Sequence, residues 1–240
     1  MQNKLTWLAL VATTVSATAL AEDKPAPTGW TGEVGLSYIE SAGNSKSTSF
    51  NGKSKAVRNI EHWRYTLKLE GDNESADNVR SAESYFASAK ADYKLDQKSY
   101  LFGLLEHTID RYSGYDYESS LTFGYGRDLI STDRHKLSAD AGLGYRRSKV
   151  TNSHDVQEEG VMRLGALYNW NINDHTKFGE EASTEIGKDK TVSKSLTSVK
   201  VKINGNLWGS VALEFKRTSS VPPGVKNTDR TTTIGLNYTF

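Results

Sequence analysis

Five histidines and no cysteine set the limits on catalysis in this chain of 240 residues. Asn152-Ser153-His154 places a serine beside a histidine, with Asp155 next. In an extended chain, however, adjacent side chains face opposite ways, and a nucleophile and its base must lie within hydrogen-bond reach. His135 and His175 fall in turn segments, His62 at the start of an alternating segment, and His154 in a loop. Only His107 lies inside a segment read as a strand, so a lipid hydrolase built on His107 or His154 is kept as an alternative and no enzyme is the main expectation. No spacing of His, Asp and Glu suggests a metal cage. Gly124-Tyr125-Gly126 and Gly142-Leu143-Gly144 precede no helical pattern, so they are not phosphate cradles. They read as places where a sheet thins and bends, and no cofactor is expected.

The ionic residues carry a stronger signal. Arg64, Lys68, Lys90, Arg146, Arg163, Lys177, Lys200, Lys202 and Lys216 share one parity of their segments with Glu33, Glu70, Asp92, Glu118, Asp140, Glu181, Glu185 and Glu214. The other parity is apolar. A polar inner face and an apolar outer face describe the wall of a water-lined barrel, whose charges either pair and stiffen it or line a narrow solute or ion pore. Neither sign dominates, and Glu118 and Asp140 are natural partners for Arg64 and Arg146.

The elements that would position these residues follow from period-2 alternation, which runs through nearly all of the chain after residue 30. Trp63, Tyr65, Leu67 and Leu69 alternate with Arg64, Thr66 and Lys68; Leu137, Ala139, Ala141, Leu143 and Tyr145 alternate with Ser138, Asp140, Gly142 and Gly144. Eleven turn-rich connections separate twelve strands of roughly ten to fourteen residues, above the usual strand length of about five or six. Every second connection is tight (Arg58–Glu61, Leu95–Ser99, Ser131–Arg134, Asn173–Thr176, Asn204–Asn206), and the longest lie in the other set, at Gly71–Asn78 and Ser220–Asp229. In residues 100–112, Glu106 and Asp110 alternate with Leu105, His107 and Ile109, and no facing can be assigned without a bulge.

Before residue 30 the chain reads differently. Lys4, an apolar stretch from Leu5 to Val15, and Ala19-Leu20-Ala21 describe a signal peptide over 1–21 cut before Glu22, with a short periplasmic segment at 22–29 and one barrel domain over 30–240. Without Lys4 the 30 basic residues become 29, against 29 acidic ones, so no excess charge favours nucleic acid. A tenth of the residues are aromatic, more than long disorder carries. Trp30, Trp63, Trp170 and Trp208 all fall at the tight-turn ends of their segments, as an aromatic belt at a membrane interface would require.

The expected fold is therefore all-β, an antiparallel up-and-down transmembrane β-barrel of about 12 strands in the outer membrane. Its lipid and lipopolysaccharide would be the surroundings. A secreted soluble β-sandwich or barrel is the alternative. Thr233, Gly235, Tyr238 and Phe240 in the last segment resemble the C-terminal signal read by the barrel assembly machinery. Gly29-Trp30-Thr31-Gly32-Glu33-Val34, Ala42-Gly43-Asn44-Ser45, Ala91-Asp92-Tyr93-Lys94-Leu95-Asp96, Tyr100-Leu101-Phe102-Gly103 and Pro222-Pro223-Gly224-Val225-Lys226-Asn227-Thr228-Asp229 resemble the YdiY-like family of salt-induced outer-membrane proteins. That resemblance implies an integral outer-membrane barrel tied to salt or acid stress. The family has no established activity and hands over no catalytic residues.

Overall fold

A computed structural model describes residues 29–41, 47–77, 79–151, 155–222 and 224–240. The signal-peptide segment, most of residues 22–29, Ala42-Gly43-Asn44-Ser45, Asn152-Ser153-His154 and Pro223 lie outside the described residues. Twelve strands follow in order: β1 Trp30–Ser41, β2 Ser47–Ile60, β3 Trp63–Ala76, β4 Val79–Lys94, β5 Ser99–Asp110, β6 Tyr115–Ser131, β7 His135–Val150, β8 Val156–Asn173, β9 Thr176–Gly187, β10 Thr191–Asn204, β11 Leu207–Thr218 and β12 Thr228–Thr239. Each strand pairs antiparallel with its neighbours in sequence, and β1 pairs with β12 to close a barrel. The closing register sets Glu33 to Leu36 against Thr239 to Leu236, and Gly32 and Phe240 exchange two backbone hydrogen bonds of 2.9 Å. Closure leaves no free sheet edge along that seam, which is the condition for a strand wall in lipid.

Alternation sorts the side chains as expected. Leu67, Leu69, Phe123, Leu143, Ile234 and Leu236 stand exposed on the outside, where a soluble protein would bury such residues. Connections at 61–62, 95–98, 132–134, 174–175 and 205–206 make the tight-turn end. There Gly205 takes φ 48°, and Asp96 accepts the backbone N–H groups of Lys98 and Ser99 at 2.7 Å each, which holds its carboxyl below the usual range.

Three expectations need correction. Strands reach 18 residues in β8 and 17 in β6, longer than anticipated. Gly71–Asn78 is not a long loop, because β3 runs to Ala76 and β4 starts at Val79. That stretch reads as a loop because both its faces are polar, whereas backbone pairing needs no apolar face once a strand projects beyond the apolar band. The third concerns β5. It pairs with β4 without interruption from Ser84↔Asp110 to Lys94↔Tyr100, and its only irregularity faces β6 beyond Thr108. Tyr100, Phe102, Leu104, Glu106, Thr108 and Asp110 all share the inner parity, so no bulge is required within 100–108.

Toward the tight-turn end that inner face is apolar, whereas the inner faces of the other strands are mostly polar. Tyr100, Phe102 and Leu104 are the buried hydrophobic cluster. The glycine runs explain where their rings go. Register pairs Tyr100 with Gly126, Phe102 with Gly124, and Gly124 with Gly142. A Cβ at Gly126 would run into the Tyr100 ring, and one at Gly124 would stand 2.7 Å from the Phe102 ring. The glycines do thin the wall, and what fills the space is aromatic.

Candidate functional site: a charged lumen bridged from wall to wall

Interior ion pairs join strands that are not neighbours. Lys53 of β2 reaches Glu214 of β11 at 2.6 Å, Lys68 of β3 pairs with Glu181 of β9, Lys200 of β10 with Glu33 of β1, and Lys90 of β4 with Asp140 of β7 at 2.7 Å. Lys216 of β11 lies 3.5 Å from Asp110 of β5. Contacts between strands so far apart in the ring can only run through the interior. Lys68, Lys90, Lys200, Asp140, Glu214, Glu33, Glu181 and Lys216 are thereby placed in the lumen.

The remaining charges pair more locally. Arg64 bonds Asp92 at 2.6 Å and stands 3.9 Å from Asp128. Arg146 bonds Glu159 and the Lys190 carbonyl, each at 2.6 Å, and lies 3.4 Å from Glu185. Neither arginine meets Glu118 or Asp140, its anticipated partners. Glu118 pairs with Lys190 of the β9–β10 loop, and Asp140 also holds Arg163 at 3.2 Å. Burial pushes the Lys190 ammonium down from its ordinary pKa against the opposing pull of Glu118. Lys53, Lys190, Glu159 and Asp128 join the interior charges beyond those the alternation singles out, although Lys53 shares the parity of Asn51 and Lys55 and is legible from it.

The lumen is divided lengthwise. Around β4 to β8 it is packed: Arg146, Asp92, Thr122 and Ser148 are at most 2% exposed, and Arg64 and Lys90 lie 4.8 and 4.6 Å over the rings of Tyr100 and Phe102. Around β1 to β3 and β9 to β11 the pairs are looser, with side chains of Lys53, Glu214, Lys200, Glu33 and Glu181 between 23 and 36% exposed. This half is the more open one, and the cation–carboxylate pairs cross it.

Trp208 corrects the belt. Trp30, Trp63 and Trp170 are 37 to 44% exposed on the outer wall, but Trp208 is 5% exposed. Its ring lies inside, with Lys177 at 4.4 Å and Lys202 at 5.8 Å from the centroid. Parity required this, since Trp208 alternates with Val211, Leu213 and Phe215 and shares its face with Glu214 and Lys216. Lys136, Lys177, Lys200, Asn169, Asn171 and Trp208 line a cavity of about 420 Å³ at the tight-turn mouth.

Outside the barrel, His107 faces away from the lumen. Its Nδ1 is 2.8 Å from Ser119 Oγ on β6, and its ring stacks on Tyr117. Among the described residues no carboxylate or amide contacts its other ring nitrogen. His135 stacks on Tyr168 and Trp170 on the outer wall, and His62 stacks on Tyr93. Among the described residues no group of His, Cys, Asp and Glu could hold a metal ion. Thr233, Gly235 and Tyr238 lie in β12, with Phe240 just after it against Gly32.

Among the solved structures that resemble this fold are two that cover nearly nine-tenths of this chain. One is the NanC porin, with TM-score 0.55, 10% identity, and coverage of 87% of this chain and 98% of that one. The other is the translocator domain of the autotransporter NalP from Neisseria meningitidis, with TM-score 0.50, 13% identity and 88% coverage of both. At these identities the likeness concerns the fold. By sequence, the uncharacterized protein YdiY of Escherichia coli (strain K12) is 30% identical over 211 residues, spanning 87% of this chain and 82% of that protein. Residues 34–240 match the family described as protein of unknown function, DUF481, and the chain belongs to that family.

Proposed function

We propose that this chain is an integral outer-membrane barrel, tight turns toward the periplasm, whose lumen is closed at rest by ion pairs between strands that are not neighbours. The observation that carries this reading is the set of cross-lumen pairs Lys53–Glu214, Lys68–Glu181 and Lys200–Glu33 in the more open half of the barrel. Lys68–Glu181 joins strands six apart in the ring of twelve and so crosses its width, while Lys53–Glu214 and Lys200–Glu33 join strands three apart and narrow the passage beside it. The exposed apolar wall supports a lipid and lipopolysaccharide setting, and the residues of β12 support recognition by the assembly machinery. The tie to salt or acid stress rests on family resemblance, and protein levels across salt and pH shifts test it.

A narrow solute or ion pore is the second reading, favoured by the partial exposure of the same pairs and by the cavity at one mouth. Hydrolase chemistry has the His107–Ser119 contact in its favour, but that contact lacks an orienting third group. Fatty acid release from phospholipid or lipopolysaccharide is not expected, and His107→Ala should leave the barrel's properties unchanged.

The test is electrical. Purified, refolded protein should run faster on gels unheated than heated, fractionate with the outer membrane, and add little or no steady conductance to a planar bilayer. Reproducible single-channel steps from wild-type protein would replace the closed reading with the pore, and recovery in the soluble periplasm would overturn both.

A further inference from the structure

Charges cancel over the whole lumen but not along its axis. At the tight-turn mouth, Lys136 of β7, Lys177 of β9, and Lys200 and Lys202 of β10 converge on one cavity and its border, with Glu33 as the carboxylate in its lining. Lys200 already takes Glu33. Among the described residues no carboxylate pairs with Lys136, Lys177 or Lys202. Lys177 and Lys200 are moreover direct register partners on the same inner face. Like charges placed directly opposite each other on a sheet oppose pairing, so a purely structural role would favour a neutral or acidic residue at one of the two positions. Asn169 adds an amide in register with Lys136, and Asn171 is in register with Lys177.

A cavity with one sign of charge and low-dielectric walls concentrates counter-ions. We propose that this vestibule is an anion-binding site for a multivalent phosphate-bearing ligand, held by Lys136, Lys177 and Lys202 with Lys200 shared between the ligand and Glu33. Several ammonium groups on separate strands suit a compact polyanion approached from several sides, whereas a single carboxylate would engage one or two of them. Trp208 forms the floor, and its ring holds Lys177 and Lys202 at the cavity edge through cation–π contacts. The site does not depend on whether the lumen conducts, so it stands or falls apart from the closed-barrel reading.

The probe is inorganic pyrophosphate, titrated calorimetrically into the full mature chain refolded in neutral detergent at low salt. Saturable binding is expected, weakened at least tenfold in Lys136→Gln/Lys177→Gln and unchanged in Lys149→Gln, whose partner Asp116 lies near the opposite end. Among the described residues Lys136 and Lys177 belong to no ion pair, so the double variant should still show the heat-dependent gel shift of a folded barrel. A second arm uses micelles doped with phosphatidic acid: binding that appears only there, and is lost in the double variant, would identify a lipid headgroup as the source of the phosphate. Absence of saturable binding in both arms, or equal affinity of the folded double variant, would overturn the proposal.

Discussion

Replacing Arg146 by leucine is expected to destabilise the barrel by about 3–5 kcal/mol, the range for removing one partner of a buried ion pair. Arg146 is 2% exposed, and its guanidinium serves Glu159 through Nε and Nη2, the Lys190 carbonyl through Nη2, and Glu185 through Nη1. Leucine fills part of the volume but leaves Glu159, itself 7% exposed, with only the backbone N–H groups of Asp189, at 2.8 Å, and Lys190 as donors. The β9–β10 loop loses one of its anchors, the bond to the Lys190 carbonyl, while Glu118 still holds the Lys190 ammonium. Arg146→Leu/Glu159→Leu removes both charges together, so it should regain a substantial part of the loss, since most of the single variant's cost is the stranded carboxylate. The check is the urea midpoint of the heat-modifiable folded form for the three proteins. A single variant as stable as wild type would mean that water reaches the site freely, and a double variant no better than the single would mean that Arg146 acts mainly by packing.

How much of this site was legible in the sequence depends on what kind of signal each residue carries. Parity is a strict consequence of the pleat, and it placed Arg64, Lys68, Lys90, Arg146, Arg163, Lys177, Lys200 and Lys202 on the inner face from spacing alone. Trp208 went astray because its residue type, a tryptophan at a strand end, was weighed above its parity, which was the sounder guide. For β5 the opposite happened. Its pattern contradicts the polar-in rule because Tyr100 lies against Gly126 on the next strand and Phe102 against Gly124 and Gly142 on the next two, a three-strand packing arrangement that a single-strand reading cannot contain. Partner choice was the least legible layer. Which residue meets Arg64 depends on the β3–β4 register, which sets it directly opposite Asp92, and a two-residue shift would oppose it to Lys90 or Lys94 without changing either strand's own pattern. The axial segregation of charge was visible in principle, since tight-turn ends are strand starts in odd strands and strand ends in even ones. Summing charge over the whole chain hid it.

Leu67→Arg is expected to cost about 2–4 kcal/mol, because a cation at mid-wall on the lipid side must leave water without a partner. Leu67 lies midway along β3, 44% exposed to the outside, in register with Ala56 on β2 and Ala89 on β4. Both neighbours are small and apolar, so nothing within one rung can pair with a guanidinium. Lys68, one residue on, faces the lumen and pairs with Glu181. Lys68→Leu leaves Glu181, about a third exposed, beside a second ammonium at Lys55, so it should cost less than Leu67→Arg. The contrast between neighbours is the content of the prediction, because a soluble barrel would tolerate Arg at an exposed position and would not separate them. Folding free energies in lipid vesicles, read from urea titrations of the heat-modifiable band, measure it. Equal losses at the two positions would mean that β3 has no lipid-facing side, and a larger loss at Lys68 would mean that the wall is inverted.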